Sequence, residues 1–187
     1  MKQPVVFLDR DGTINEEVNY LRNPKDFRLL PGVPEAIRLF KKAGFAVLVI
    51  TNQSGLARGY FSPDTLQAIH QKMLKELSTR GATIDGIYFC PHHPEENCEC
   101  RKPKPGLIKK ASQELKLDLS RAYVIGDRDT DILLAKNIGA KSVLVLTGYG
   151  EQELLQTLPK LGIKPDLIAK DLLEAAKKIL KYENFNS

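Results

Sequence analysis

The sequence predicts an α/β domain, a mainly parallel sheet with helices on both faces in one three-layer, Rossmann-like unit. Three observations point there. Strand-like apolar runs alternate with helix-period segments along the chain. The clearest run, FAVLVIT, is apolar throughout, as expected of a strand covered on both sides. Helical crossovers separate successive runs, as parallel neighbours require. The 187 residues suit one domain with a substantial core, and 42% hydrophobic with 27% charged residues is ordinary globular composition. The domain is expected to occupy residues 1–182, leaving 183–187 as a frayed tail.

The elements follow in order. Residues 4–9, PVVFLD, form the first strand. A helix opens at Pro31-Gly32-Val33-Pro34, places Val33, Ile37 and Phe40 on one face and stops at Gly44. Residues 45–51 are the second strand. Ser62 and Pro63 then supply an N-cap and a first-turn proline to a helix striped by Leu66, Ile69, Met73 and Leu77. IDGIYF, residues 84–89, is the third strand, and Pro105 starts a helix with Ile108, Ala111 and Leu115 inward. Strands at 122–126 and 142–147 flank a helix carrying Ile132, Leu133 and Ala135. A short helix, a weaker strand around Leu167 and a last helix over 171–182 complete the chain.

No window reaches the apolar length of a membrane span, and the start MKQPVVFLDRDG breaks on charge, unlike a secretory leader. A cytosolic location is expected. The net charge of +5 comes from lysines spread over helix-like segments, which solvated faces also show. With no Trp and no basic-aromatic interleaving, neither nucleic acid nor a membrane is an expected partner. A monomer acting on a small phosphorylated ligand accounts for local positive charge.

Strand ends at Asp9, Thr51, Phe89 and Gly126 should meet at one edge, where open α/β sheets bind ligands. Asp9 and Asp11 stand there, with Thr51 and Asn52, then Arg101 and Lys102, then Asp127, Arg128 and Asp131. Hydrolysis of a phosphate monoester needs such a set. Carboxylates hold Mg²⁺, and the metal and a lysine neutralise the phosphoryl oxygens while hydroxyl and amide donors fix the rest. Each piece also has a plain reading: Asp127 and Asp131 as helix caps, Thr51 and Asn52 as turn residues, Lys102 as a solvated loop charge. Their convergence from separate loops favours the site. Strand alternation is expected to turn Arg10 away from it.

All three cysteines, Cys90, Cys98 and Cys100, fall in one window with His92 and His93. The pattern C-x-H-x5-C-x-C offers three thiolates and an imidazole, a closed tetrahedral set for structural Zn²⁺. An odd cysteine count without a leader argues against a disulfide framework. His93 competes with His92 as the fourth ligand.

The stretch DRDGT, followed by Lys102 and by Asp127 and Asp131 in the segment GDRDTD, resembles the haloacid-dehalogenase-like superfamily of phosphohydrolases over nearly the whole chain. The resemblance implies Asp9 as nucleophile, Asp11 as general acid/base, Thr51 and Lys102 on the phosphoryl group, and Asp9, Asp127 and the Asp11 carbonyl on Mg²⁺. It also favours His92 over His93 as zinc ligand. Short connections from Asp11 to Val33 and from Thr51 to Ser62 leave no room for a large cap domain, so an open site taking a small sugar phosphate is expected. The zinc loop narrows the resemblance to phosphatases of a heptose bisphosphate and of histidinol phosphate. TNQSGLARG and GTIN look more like the former, whereas the short His92–Cys98 spacer also fits the latter. A bisphosphate needs a second anion site, for which Arg58, Arg101 and Arg128 are candidates beside Asn52. Arg58 reads equally well as a surface residue, and Glu16 and Glu17 would matter more for histidinol phosphate.

Overall fold

The computed structural model describes residues 2–185. Its strands are β1 (Gln3–Leu8), β2 (Ala46–Asn52), β3 (Gly86–Cys90), β4 (Leu117–Gly126), β5 (Lys141–Val145) and β6 (Leu167–Ala169). They form one sheet in the order β3-β2-β1-β4-β5-β6, with every pairing parallel. The continuous apolar runs explain its position. Val5 to Leu8 and Ala46 to Ile50 are all buried, so alternate residues feed cores on opposite faces. Val6, Leu8, Val47 and Val49 join one cluster, and Val5, Phe7, Leu48 and Ile50 the other.

On the first face lie α1 (Val33–Lys42), α2 (Pro63–Ser78) and α7 (Leu172–Phe185). They contribute Ile37 and Phe40, Ile69 and Met73, and Ala175 and Ile179. On the second lie α3 (Gly106–Glu114) and α4 (Asp129–Ile138), through Leu107, Ile108, Ala111, Leu134 and Ala135. Each fully buried aliphatic side chain contributes about 1.5–3 kcal/mol, so the two clusters rather than the loops hold the sheet. The Ser62 side chain accepts from the Thr65 N–H at 3.1 Å, as the sequence predicts for the start of α2. The remaining helical turns, α5 (Gly150–Gln152), a π-helical Glu153–Thr157 and α6 (Leu158–Leu161), follow β5 directly.

Four details differ from expectation. β4 begins at Leu117 rather than 122, because Gln3 and Pro4 pair with Leu117 and Asp118 before the register jumps to Ala122. The polar backbone turn inside that jump, where Asp118 accepts from Ser120, has no apolar signal. In α4 the inward side chains are Ile132, Leu134 and Ala135, with Leu133 half-buried. Leu115 lies just beyond α3 and packs as partly buried chain against the second cluster. The final helix runs to Phe185, because Glu183 accepts from the Tyr123 hydroxyl at 2.7 Å and from Arg121, tying it to β4. Residues 186–187 of the expected tail lie outside the described residues.

No cap domain interrupts the chain. The segment from Asp9 to Gly32 carries only a 3₁₀ turn at Pro24–Asp26 and isolated bridges at Asn15, and a short loop joins β2 to α2. The C-terminal ends of β1, β2 and β4 therefore stand open at one edge.

Candidate active site

Asp9 is the first residue beyond β1, and its N–H still donates to the Ile125 carbonyl of β4 at 3.0 Å. The chain then reverses at Gly12, whose φ of 79° is left-handed. A side chain there would also collide with its neighbour, since a Cβ on Gly12 would sit 2.1 Å from Asp127 Oδ2. The same crowding recurs at Gly126, where a Cβ would sit 2.0 Å from Asp131 Oδ2. Glycine stands at both positions because the Asp127 and Asp131 carboxylates press directly on the backbone.

Asp9, Asp127 and Asp131 bring carboxylate oxygens within 4.8 Å of one another. The buried Lys102 sits among them, with Nζ 3.0 Å from Asp9 Oδ1 and 2.6 Å from Asp131 Oδ1. Burial alone would lower the lysine, but Asp131 and Asp9 hold it above the ordinary range, so it stays charged. Burial, with repulsion from Asp9 and Asp131, pushes Asp127 up to about 8. Burial also lifts Asp131 to about 7 against the pull of Lys102. Asp127 Oδ2 accepts from the Tyr149 N–H at 2.9 Å, but its buried Oδ1 has no hydrogen-bond partner among the described residues. Three carboxylates against one ammonium, with an orphaned oxygen, fit a hard divalent cation such as Mg²⁺.

Asp11 is turned the other way. Arg10 Nη2 donates to both its oxygens at 2.9 and 2.8 Å, Asn15 Nδ2 donates at 3.0 Å and Gln53 Nε2 at 2.9 Å. Burial would raise the Asp11 carboxyl, yet the Arg10 charge and these donors outweigh it and hold it below the ordinary carboxylate value. Gln53 also donates to Thr51 Oγ1 at 2.9 Å, so one amide links the two predicted residues. Arg10 does not line the cleft, in keeping with the expectation, yet it reaches Asp11. It is fully buried but faces Asp11, because β1 ends at Leu8 and strand alternation no longer governs residue 10.

These groups line an open cleft of about 300 Å³. Asp9, Asp11, Thr51, Asn52 and Lys102 line it together with Arg101, Arg128, Glu17 and Tyr149. Asn52 also sets the lysine, since its Oδ1 accepts from the Lys102 N–H at 3.0 Å. Arg101 Nη1 is buried without a partner among the described residues, and Arg128 lies 3.6 Å over the Tyr149 ring. Arg58 does not line the cleft. It is exposed at the rim, 5.9 Å from the ring of Tyr20. Glu17, half-buried, is pushed up to about 7 by burial and by Asp11 against the pull of Arg128.

A second cluster stands beyond the end of β3. Cys90 Sγ lies 3.5 Å from Cys98 Sγ and 3.2 Å from Cys100 Sγ, and Cys98 lies 3.5 Å from Cys100. His92 Nδ1 is 3.6 Å from Cys90 and 3.2 Å from Cys100. These separations are far too long for disulfides, and all three cysteines are free. Tetrahedral bonds of ~2.3 Å place sulfurs about 3.8 Å apart, close to what is seen. His92, not His93, faces the sulfurs; His93 caps the 3₁₀ turn Pro94–Glu96 by accepting from the Glu95 N–H. The four side chains can hold a metal ion.

Comparison with known proteins bears on the whole chain. Residues 99–175 match the HAD-hydrolase-like family model. The D-glycero-D-manno-heptose-1,7-bisphosphate 7-phosphatase of Thermosynechococcus vestitus is 40% identical over 186 residues, covering 94% of each chain. The chain belongs to this family of haloacid-dehalogenase-like hydrolases. The D-glycero-beta-D-manno-heptose-1,7-bisphosphate 7-phosphatase of Yersinia pestis is 46% identical over 154 residues, 78% of this chain and 81% of that one. The crystal structure of D,D-heptose 1,7-bisphosphate phosphatase from B. bronchiseptica, complexed with magnesium and phosphate, superimposes with a TM-score of 0.87 at 36% identity, covering 97% and 99% of the two chains.

Within this family member, the structure brings the predicted Asp9, Asp11, Thr51, Asn52, Lys102, Arg101, Arg128 and Asp127 to one edge and leaves Arg58 at the rim. Sequence reasoning assigned no specific role to three further residues. Asp131, the last acid of GDRDTD, grips Lys102. Gln53 was visible two residues beyond Thr51. His70 gave no signal, since it reads as one more buried position of α2.

Proposed function

We propose that the chain removes the 7-phosphate of D-glycero-D-manno-heptose 1,7-bisphosphate, giving heptose 1-phosphate in a Mg²⁺-dependent reaction. The observation that carries the reading is Asp9, poised at the cleft with one oxygen on Lys102 beside the unpartnered oxygen of Asp127. The D-glycero-D-manno-heptose-1,7-bisphosphate 7-phosphatase from Thermosynechococcus, matched over 94% of the chain, supports the substrate. The magnesium and phosphate of the B. bronchiseptica crystal support the metal.

Asp9 attacks phosphorus, forming an aspartyl-phosphate as the bond to the C7 oxygen breaks. Asp11 passes a proton to that leaving oxygen, then takes one from the water that attacks phosphorus and releases inorganic phosphate and free Asp9. Asp11 is ionised at rest, so it gains its proton as the phosphate dianion binds beside it. Lys102 and the Thr51 hydroxyl hold phosphoryl oxygens against the growing charge. Mg²⁺ on Asp9, Asp127 and the Asp11 carbonyl would neutralise the phosphoryl group. Placement in line with phosphorus makes Asp9 a nucleophile.

The 1-phosphate lies across the side of the cleft, on Arg101 and Arg128, with Arg58 adding charge from the rim. Arg101 carries an unused buried donor, and the Tyr149 ring fixes Arg128 from behind. Glu17 suits a cationic substrate such as histidinol phosphate, but it shares the cleft lining with Arg101 and Arg128. The cysteine–histidine cluster holds Zn²⁺ as a structural ion. Unbridged thiols suit the reducing cytosol, where the enzyme acts as a monomer. No helix among the described residues is long and apolar enough to cross a membrane.

The test is a panel at equal concentration: both heptose 1,7-bisphosphate anomers, histidinol phosphate, simple sugar phosphates and acetyl phosphate, compared by kcat/KM. The bisphosphate should lead, and Arg128→Ala should weaken its use at least tenfold more than that of acetyl phosphate. A preference for histidinol phosphate would overturn the substrate assignment.

A further inference from the structure

We propose that Arg10 is a positioning residue for the acid/base Asp11, and that His70 of α2 is the acceptor that holds Arg10 in place. The inference rests on the role given to Asp11 above. Arg10 is the largest of the fully buried side chains, so its guanidinium must be fully accounted for by protein groups. Nη2 spans both Asp11 oxygens, Nε donates to Oδ1 at 3.2 Å, and Nη1 meets His70 Nε2 at 3.1 Å. A guanidinium is planar and carries donors only. Its contacts with both carboxylate oxygens therefore set the plane of the Asp11 carboxyl, while His70 must offer Nε2 as a lone pair. That requires the neutral imidazole with its proton on Nδ1. Burial, and repulsion from Arg10, keep His70 neutral by bringing it down to about 4.

A merely structural ion pair would leave both partners enclosed. Here only Asp11 reaches the cleft, with its side chain 20% exposed, while Arg10 and His70 stay out of the cleft lining. The chain His70–Arg10–Asp11 thus runs from a packed helix to a group that must give and take protons at a defined place. An acid that is misaimed delivers its proton poorly to an alkoxide, yet costs little when the leaving group needs no proton.

The test uses His70→Leu, which removes the acceptor, and His70→Gln, which keeps one. kcat/KM is measured with Mg²⁺ on an alkyl phosphate, β-glycerol phosphate, and on p-nitrophenyl phosphate. This parameter reports steps up to aspartyl-phosphate formation, where the proton is delivered. His70→Leu should lose about tenfold more on the alkyl ester than on the aryl ester, and His70→Gln should recover most of that difference. Nitrogen-15 NMR of the wild-type protein should show His70 as the Nδ1-protonated neutral tautomer at pH 7. Equal losses on both esters, or no loss in a folded His70→Leu, would overturn the proposal, as would an Nε2-protonated ring. Should His70→Leu fail to fold, the wild-type tautomer decides. A wild-type protein that cleaves neither ester would instead sink the phosphatase reading, which the tautomer measurement does not depend on.

Discussion

Acidification offers a direct measure of how tightly His70 is enclosed. In the folded chain its pKa is lowered from 6.5 to about 4 by burial and by Arg10, so the native state resists taking a proton that the unfolded chain accepts. Above pH 6.5 both states carry neutral imidazole and His70 contributes no pH dependence. As pH falls below 6.5 the unfolded state gains the proton, and folding loses about 1.4 kcal/mol per pH unit until the folded group titrates near 4. Between pH 7 and pH 5 the loss from this one residue is about 2 kcal/mol, a large fraction of the stability of a domain this size. Asp127, Asp131 and Glu17, whose carboxyls are raised, act in the opposite direction, so wild-type behaviour alone would mix the two. The contrast with His70→Gln removes them, because glutamine keeps the acceptor but cannot be charged. Urea unfolding of both proteins at pH 7, 6 and 5 should show the wild type losing about 2 kcal/mol relative to the variant. Parallel pH dependence in the two proteins would refute the buried, neutral assignment.

Asp9→Asn should keep the fold, bind Mg²⁺ more weakly and lose nearly all turnover; substantial residual hydrolysis would exclude the aspartyl-phosphate route. Gly12→Ala meets both a left-handed φ and Asp127 at 2.1 Å. The backbone alone costs about 1–2 kcal/mol. Displacing Asp127 should lower Mg²⁺ affinity as well as melting temperature, measured by titration calorimetry and thermal unfolding, and unchanged metal affinity would contradict the close approach.

Much of this was legible because the signals are local. Apolar runs mark the core of every strand, and DRDGT, Lys102 and GDRDTD mark the edge where the cleft lies. What stayed hidden depends on where side chains go once the ladder stops. The strand stops at Leu8, so alternation does not set the direction of Arg10, two residues further on. His70 occupies a core position on α2, and nothing in a helical stripe distinguishes a packed imidazole from one that supports an arginine. The register jump in β4 arises from backbone pairing with Gln3 and Pro4, which leaves no hydrophobic trace. Arg58 illustrates the converse, a cation suggested by a motif yet carried by its loop to the rim.

Two residues run directly from the last cysteine of the cluster into the cleft, and those two are not held equally. Cys90 closes β3, Cys98 and Cys100 lie across the loop, and Arg101 and Lys102 follow at once. Lys102 is fixed at both ends, its N–H on Asn52 Oδ1 and its Nζ on Asp9 and Asp131. Arg101 has no such tip contact at Nη1, so its position depends on the backbone of the cysteine loop before it. Loss of zinc should therefore disturb the remote phosphate before the chemistry. In Cys98→Ser, or after chelation, zinc content should fall from one ion per chain. KM for the bisphosphate should then rise severalfold while kcat/KM for acetyl phosphate changes little. The two measurements separate a loop that merely stabilises the fold from one that aims an arginine. Equal losses on both substrates would assign the ion to Lys102 and the reacting phosphate instead, and a chain that holds no zinc with all three thiols free would remove the metal from the account.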